Sequence, residues 1–289
     1  MTRGRRSALS PAARRGEPGA GEVAATRKPG ARRHDARTGE APYDTPAPEA
    51  GPVRVQRALA RAGVASRREA DRLVAEGRVL VNGVRAVTGQ LVDPASDRLS
   101  IDGRAVAAAP AAVRWIVLHK PAGVMTTRTD PHGRPTVFAL VDDAPGLVYV
   151  GRLDFLTEGL LLLTTDGRAA HALTHPSREV ERTYVATVRG DAPGAARAAR
   201  RGVELEDGPV RPVAVHATPL GERQWAFEVT LVDGRTREVR RLCEALGLAV
   251  ERLVRTRFGP VELGDLPPGE TRPLSRSERA AIDAIVRRR

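Results

Sequence analysis

The run Gly151-Arg152-Leu153-Asp154 stands between two apolar stretches, 147–150 and 160–164, and is followed by Glu158-Gly159 and then Thr164-Thr165-Asp166-Gly167. An aspartate and an arginine lodged between strands need partners or a purpose. One reading is a polar loop with a turn. The other is a carboxylate displayed at a sheet edge, beside an arginine that can reach an anionic substrate. A second constellation runs from Gly234 to Gly247. Within it Val239, Leu242, Cys243 and Leu246 follow the i, i+3, i+4, i+7 spacing of a buried helical stripe. At ~100° per residue Arg241 lies opposite that stripe and Arg240 at its margin. Arg240 is thus placed to turn inward, where a buried arginine demands a carboxylate, and Asp154 is a candidate partner.

Other chemistries find no support. His171 and His175 are four apart, yet no glutamate follows His171 and no third ligand is evident, so no metal is expected. There is no phosphate loop ending in Gly-Lys-Ser/Thr, no dinucleotide glycine fingerprint and no Gly-x-Ser-x-Gly elbow, so no cofactor is expected.

The elements that must position these residues follow from periodicity. Strands are predicted at 115–118, 147–150, 160–164, 183–188, 225–232 and 250–257, and helices at 168–174, 194–201, 235–246 and 277–287. Their mixing without a regular βαβ rhythm favours an α+β fold. A smaller unit precedes them over 53–104. It has a helix over 53–62 stopped by Gly63, and a second helix opened by the capping box Ser66-Arg67-Arg68-Glu69. Strands at 78–81 and 98–101 follow, with tight turns at Asn82-Gly83 and Asp102-Gly103. Residues 105–113, almost all Ala, Pro and Val, read as a linker to a second domain over 114–289. Residues 1–51 hold only Met1, Leu9, Val23 and Tyr43 as large apolar side chains, and read as a disordered basic tail.

The chain has 289 residues, 47 Lys+Arg against 35 Asp+Glu and a net charge of +12. Such an excess points to a polyanionic partner. The tail and the 53–104 unit each carry ten basic residues against six acidic. In that unit Arg57 and Arg61, and Arg68 and Arg72, share helix faces, with Arg67 alongside. One cysteine, Cys243, excludes an internal disulfide and a Cys-rich zinc module. No apolar run approaches the ~18 residues of a membrane span.

Three segments in this order carry a family resemblance. They are Gly151-Arg152-Leu153-Asp154 with Glu158-Gly159-Leu160-Leu161; His175-Pro176-Ser177-Arg178-Glu179-Val180-Glu181-Arg182-Thr183-Tyr184; and Gly234-Arg235 through Arg241. From Val53 to Leu274 the chain resembles the RsuA/RluB/RluE/RluF family of ribosomal RNA pseudouridine synthases, and 53–104 resembles its S4 RNA-binding module. Lys120-Pro121, Gly133-Arg134-Pro135-Thr136 and Thr164-Thr165-Asp166-Gly167 look more like the RluB branch than the small-subunit RsuA branch. Phe155-Leu156 is bulkier than the segment expected after the aspartate.

The resemblance implies a small S4-type domain followed by a catalytic domain with a mixed, largely antiparallel sheet flanked by helices. It implies isomerisation of uridine to pseudouridine in ribosomal RNA, with large-subunit (23S) RNA the expected substrate, free or in an assembling subunit. Asp154 resembles the essential aspartate, acting as nucleophile at C1′ or as base at the ribose. Arg240 matches the arginine that pairs with it, Tyr184 the tyrosine that stacks on the target base, and Arg152 a residue that holds the flipped nucleotide. Lys120, Arg134, Arg178 and Arg182 are expected on RNA together with Arg57, Arg61, Arg67, Arg68 and Arg72, and Leu253 is expected to line the pocket. A cytoplasmic monomer without membrane partners is expected. The alternatives are a noncatalytic S4-domain RNA-binding or ribosome-assembly protein, and a cofactor-free hydrolase using Asp154, which lacks an obvious second carboxylate or triad.

Overall fold

The computed structural model describes residues 51–107, 113–221 and 223–288. The expected tail over 1–51 lies outside the described residues except for Gly51, as does the middle of the expected linker. The N-terminal elements are β1 (Val53–Arg54), α1 (Val55–Arg61), α2 (Arg67–Ala75), β2 (Val79–Val81), β3 (Val84–Arg85), β4 (Leu91–Val92), β5 (Leu99–Ile101) and β6 (Arg104–Ala105). Leu59, Ala70, Leu73, Val74, Val79 and Val92 meet in a core of their own. Asn82 and Gly83 both have positive φ (51° and 84°), as do Asp102 and Gly103 (51° and 76°). That is the geometry the two predicted tight turns demand.

Three expectations here are corrected. Val53 and Arg54 do not begin the helix; they pair antiparallel with Val92 and Leu91 as a strand. Ser66 Oγ caps α2 by accepting the Glu69 N–H at 3.2 Å, but the Glu69 carboxylate accepts from Arg72 Nη2 at 2.5 Å instead of completing the box. Finally, Ala105 is in β6 and Val106 packs on the N-terminal core, so the linker begins later than its composition suggests.

The rest of the chain forms β7 (Trp115–Lys120), β8 (Val148–Val150), β9 (Glu158–Thr164), α3 (Gly167–Thr174), β10 (Arg182–Arg189), α4 (Ala192–Arg201), β11 (Val203–Leu205), β12 (Gly208–Val210), β13 (Ala214–Gly221), β14 (Gln224–Leu231), α5 (Glu238–Ala245), β15 (Ala249–Phe258), β16 (Val261–Glu262), β17 (Thr271–Arg272) and α6 (Arg276–Arg287). One sheet runs in the order β13-β14-β10-β15-β9-β7-β17, with β16 on β15 and β8 on β9. Every pairing in it is antiparallel except β9 with β15, so the sheet is mixed and largely antiparallel.

Strands β7 and β9 are covered on both faces, which is why they read as unbroken apolar runs. Leu160 and Leu162 face a core closed by α3 and α6, while Leu161 and Leu163 face Val124, Val137 and Leu147 on the other side. The opposite half of the sheet packs on α4 and α5 through Phe227, Val229, Ala196, Leu242 and Cys243. Burial pushes the Cys243 thiol up to about 12, so it behaves as a small apolar side chain.

Sequence patterning missed β11, β12, β13, β16 and β17. Strand β13 is a sheet edge containing Pro219, tolerated there because an edge N–H needs no ladder partner. Helix α5 begins at Glu238 rather than 235, because Arg237 is left-handed (φ 53°) and frees 234–237 as a loop. Helix α6 is capped by a full capping box from Ser275 and Glu278, earlier than its apolar pattern indicated.

The parallel pairing of β9 with β15 is the seam between the two halves, and it passes through Gly159. This residue has φ +107°, and a Cβ on it would lie 2.3 Å from the Arg255 carbonyl oxygen and 2.6 Å from its nitrogen. Gly159→Val should therefore destabilise the protein by about 3 kcal/mol or more, from backbone strain and a forced separation of the strands. Urea unfolding checks this, and a loss below about 1 kcal/mol would contradict it.

Candidate active site

Asp154 sits in the loop between β8 and β9, half-buried, and the carbonyls from Leu153 to Thr157 each accept a hydrogen bond. Thr126 Oγ1 donates to the Leu153 carbonyl at 2.8 Å, and Thr157 N–H donates to the Asp154 carbonyl at 3.0 Å. Lys120 Nζ donates to the carbonyls of Pro121 (2.9 Å), Phe155 (3.3 Å) and Thr157 (2.8 Å). Gly123 N–H adds a second donor to Phe155 at 2.9 Å. Arg240 Nη2 reaches the Leu156 carbonyl at 3.1 Å. The Asp154 carboxylate thus projects from a backbone with little freedom left.

A pocket of about 260 Å³ opens over the sheet seam. Its wall includes Asp154, Arg152, Tyr184 and Arg240, so the structure brings these four residues together, along with Leu253. The expected Asp154–Arg240 ion pair is not closed. Arg240 instead holds the Leu156 carbonyl, two residues beyond Asp154, while the carboxylate's charge partly offsets the burial of the guanidinium. Arg240 is pulled below the ordinary arginine value first by burial, then by Arg237. Its Nε is buried without a hydrogen-bond partner.

Sequence reasoning missed much of the remaining wall. Arg255, on β15, is 2% exposed; its Nε donates to the Leu160 carbonyl at 2.8 Å. Arg182, which was expected on RNA, does stand in the wall, but it is 8% exposed and donates through Nη1 to the Val232 and Asp233 carbonyls. Both guanidinium groups lie over the Phe258 ring, at 5.0 Å and 5.2 Å. Glu238 is buried at the start of α5, accepts the Arg235 N–H through Oε2, and faces Arg235 Nε at 3.8 Å through Oε1, which has no hydrogen-bond partner. Burial raises its carboxyl above the usual range. A signal for Arg255 existed: it lies two residues after Leu253 in a strand, on the same face.

Six arginines line the pocket (Arg152, Arg182, Arg235, Arg237, Arg240 and Arg255) against two carboxylates, Asp154 and Glu238. That imbalance in a concave, partly desolvated site suits an anionic ligand such as a nucleotide.

The other expected RNA contacts lie elsewhere. Lys120 is corrected: it is fully buried, so its ammonium cannot meet a phosphate. Burial lowers it to about 8, although Asp154 and Glu158 pull the other way. Arg134 is bound to Asp130, and Arg178 is half-buried with its Nη1 on the Arg288 carbonyl. Arg57 and Arg61 are half-exposed, and Arg67, Arg68 and Arg72 exposed, with Arg72 partly neutralised by Glu69 and Glu76. Arg241, opposite the helix stripe as expected, holds both oxygens of Asp207 at 2.8 Å and 2.7 Å and pulls that carboxyl down to about 2. His171 and His175 meet ring edge to face, 5.7 Å apart. Among the described residues no group of three or more His, Cys, Asp or Glu is placed to hold a metal ion, and no helix is long and apolar enough to cross a membrane.

Comparison with known proteins agrees with this geometry. Residues 114–245 match the RNA pseudouridylate synthase family, and residues 53–99 match the S4 domain. An uncharacterized RNA pseudouridine synthase of Mycobacterium leprae is 46% identical over 236 residues, 79% of this chain and 91% of that protein. The ribosomal large subunit pseudouridine synthase B of Pasteurella multocida is 46% identical over 225 residues, 75% of this chain and 65% of its own length. A crystal structure of a pseudouridylate synthase superposes with a TM-score of 0.55 at 27% identity, covering 80% of this chain and 99% of that one. The chain belongs to the RNA pseudouridine synthase family, the enzymes that isomerise uridine within RNA.

Lys120 yields a prediction with a definite sign. Its value is about 8 in the folded protein against 10.5 ordinarily. The unfolded chain therefore binds more protons in that interval, and stability rises with pH from about 8 to 10.5. Lys120→Met abolishes this contribution. The unfolding free energy of wild type minus that of the variant, from urea titrations between pH 7 and 10, should grow with pH. A difference that is flat or shrinks would contradict the buried, charged lysine.

Proposed function

We propose that this protein isomerises a uridine of large-subunit ribosomal RNA to pseudouridine, with Asp154 as the essential group. The observation that carries the reading is the Asp154 carboxylate, on a loop whose backbone Lys120 clamps, in an arginine-lined pocket with Tyr184. Large-subunit RNA is favoured by the 46% identity to the Pasteurella multocida enzyme. A base inside a helix is out of reach of such a pocket, so the target uridine must flip out of its stack. Arg152, exposed on the rim, holds the flipped nucleotide, and the buried arginines receive its polar atoms.

The reaction moves one glycosidic bond. The N1–C1′ bond breaks, the uracil turns while still bound, C5 joins C1′, and the C5 proton is lost as N1 gains one. Asp154 acts on the ribose, as nucleophile at C1′ or as base, and must be ionised in either role. Tyr184 stacks on the uracil and assists proton transfer at C5. Arg240 places the aspartate by holding the Leu156 carbonyl and supplies positive charge beside it. Atoms and oxidation state are conserved overall, so the isomerisation consumes no redox cofactor.

Residues 53–104 form the S4 unit that docks RNA outside the pocket through Arg57, Arg61, Arg67, Arg68 and Arg72, and residues 114–289 form the catalytic domain. Single-stranded loops and bulges are the usual targets of sequence-specific reading, so the uridine lies in a folded loop. We propose that the protein acts as a cytoplasmic monomer, on free RNA or an assembling subunit.

Asp154→Asn keeps the shape of the side chain and removes its charge. It should bind ribosomal RNA within a few-fold of wild type but release tritium from uridine-C5-labelled RNA at least about 10³-fold more slowly. Wild-type release by this variant would overturn the mechanism.

A further inference from the structure

The backbone clamp around Asp154 has an outward consequence. The carbonyls of Phe155, Leu156 and Thr157 all point inward, onto Lys120, Gly123 and Arg240. Leu153 and Thr157 are buried on either side, 5% and 2% exposed. The Phe155 and Leu156 side chains are thereby turned to solvent, at 37% and 58% exposure. Two large apolar side chains thus follow Asp154 directly in the chain, between the pocket-lining residues Asp154 and Thr157. Beside them the Arg134 guanidinium lies 5.8 Å from the centre of the Phe155 ring. It is held by Asp130 at 2.8 Å and 3.1 Å. The Asp130 side chain is 3% exposed and that of Arg134 43%, so the face presented to solvent is the cation.

We propose that Phe155 and Leu156 seat the nucleobase next to the target uridine in the RNA strand, with Arg134 on its backbone phosphate. The inference rests on reading the pocket as the uridine site. A strand that delivers one base to the pocket must bring its neighbours across the rim. An exposed aromatic ring flanked by an arginine is the surface that an unstacked base and its phosphate require. When the uridine leaves the stack its neighbour loses a partner face, and Phe155 replaces it. The continuity of the apolar pair with an arginine-rich pocket favours RNA over a protein partner or a second copy of this chain.

The test uses the full-length protein and deproteinised ribosomal RNA, tritiated at uridine C5, from a strain lacking the gene. Alanine at both positions keeps the clamped carbonyls and removes only the exposed side chains. Phe155→Ala/Leu156→Ala should lower kcat/KM by roughly 5- to 150-fold, the range of one base–aromatic stack, mainly through KM. Phe155→Trp should restore most of the loss in a Leu156 background. A photoreactive p-benzoylphenylalanine at position 155 should cross-link to the nucleotide adjacent to the modified uridine, whatever the stability of the alanine variants. Wild-type kcat/KM in the double variant, or cross-links confined to distant nucleotides, would overturn the base seat. So would a defect seen only on ribosomal particles, which would identify a protein occupant. Absence of tritium release by the wild-type protein from both this RNA and assembling ribosomal particles would instead overturn the proposed function.

Discussion

A buried ammonium that touches no carboxylate organises this molecule. Lys120 ends β7 with its side chain inside the protein, and its three contacts are carbonyl oxygens. Burying a charge is costly unless polar groups surround it. Here carbonyl dipoles and the nearby charges of Asp154 and Glu158 offset that cost only in part, and the residue falls to about 8. What the protein obtains is directional. The lysine turns two carbonyls of the loop after Asp154 toward the interior, Gly123 and Arg240 secure that arrangement, and the carboxylate is left facing the pocket. The placement of the reactive group and the outward display of Phe155 and Leu156 are two results of one constraint.

The sheet supplies the second half of the site. Within the large sheet, parallel pairing occurs only where β9 meets β15, and there Gly159 allows the two backbones to close. The pocket lies over this seam, so residues from the loop before β9, from β10, from β15 and from the start of α5 converge on it. The chain's net charge of +12 acts at two ranges. Exposed arginines of the N-terminal unit attract a polyanion from a distance, weakly and in a salt-dependent manner. Three pocket arginines, Arg182, Arg240 and Arg255, are partly desolvated and fixed by carbonyls, with Phe258 beside Arg182 and Arg255, so they act on whichever group enters.

Legibility in the sequence followed the range of the interaction concerned. The turn at Asn82-Gly83 and the apolar runs of β7 and β9 are set by neighbouring residues or by simple burial, and they were readable. The expectation that Arg240 turns inward rested on helical angle alone, and the structure places it in the pocket wall. Its partner was misjudged because the geometry that offers it the Leu156 carbonyl rather than the Asp154 carboxylate is tertiary. The expectation of Lys120 on RNA fails for a tertiary reason: only the meeting of β7 with the loop before β9 shows that carbonyls enclose it. Strand β13 escaped notice because an edge strand carries Pro219 and a mostly exposed face, which blurs alternation. The left-handed Arg237 shortened α5 against an otherwise regular pattern and opened the loop that carries two pocket arginines.

The central claim is that this pocket converts one uridine class of ribosomal RNA in the cell. Pseudouridine mapping of ribosomal RNA from a strain lacking the gene, beside its parent and a complemented strain, tests it most directly. The account predicts that a large-subunit uridine loses its pseudouridine signal in the deletion and regains it when the wild-type chain is restored. Identical maps from all three strains would contradict it.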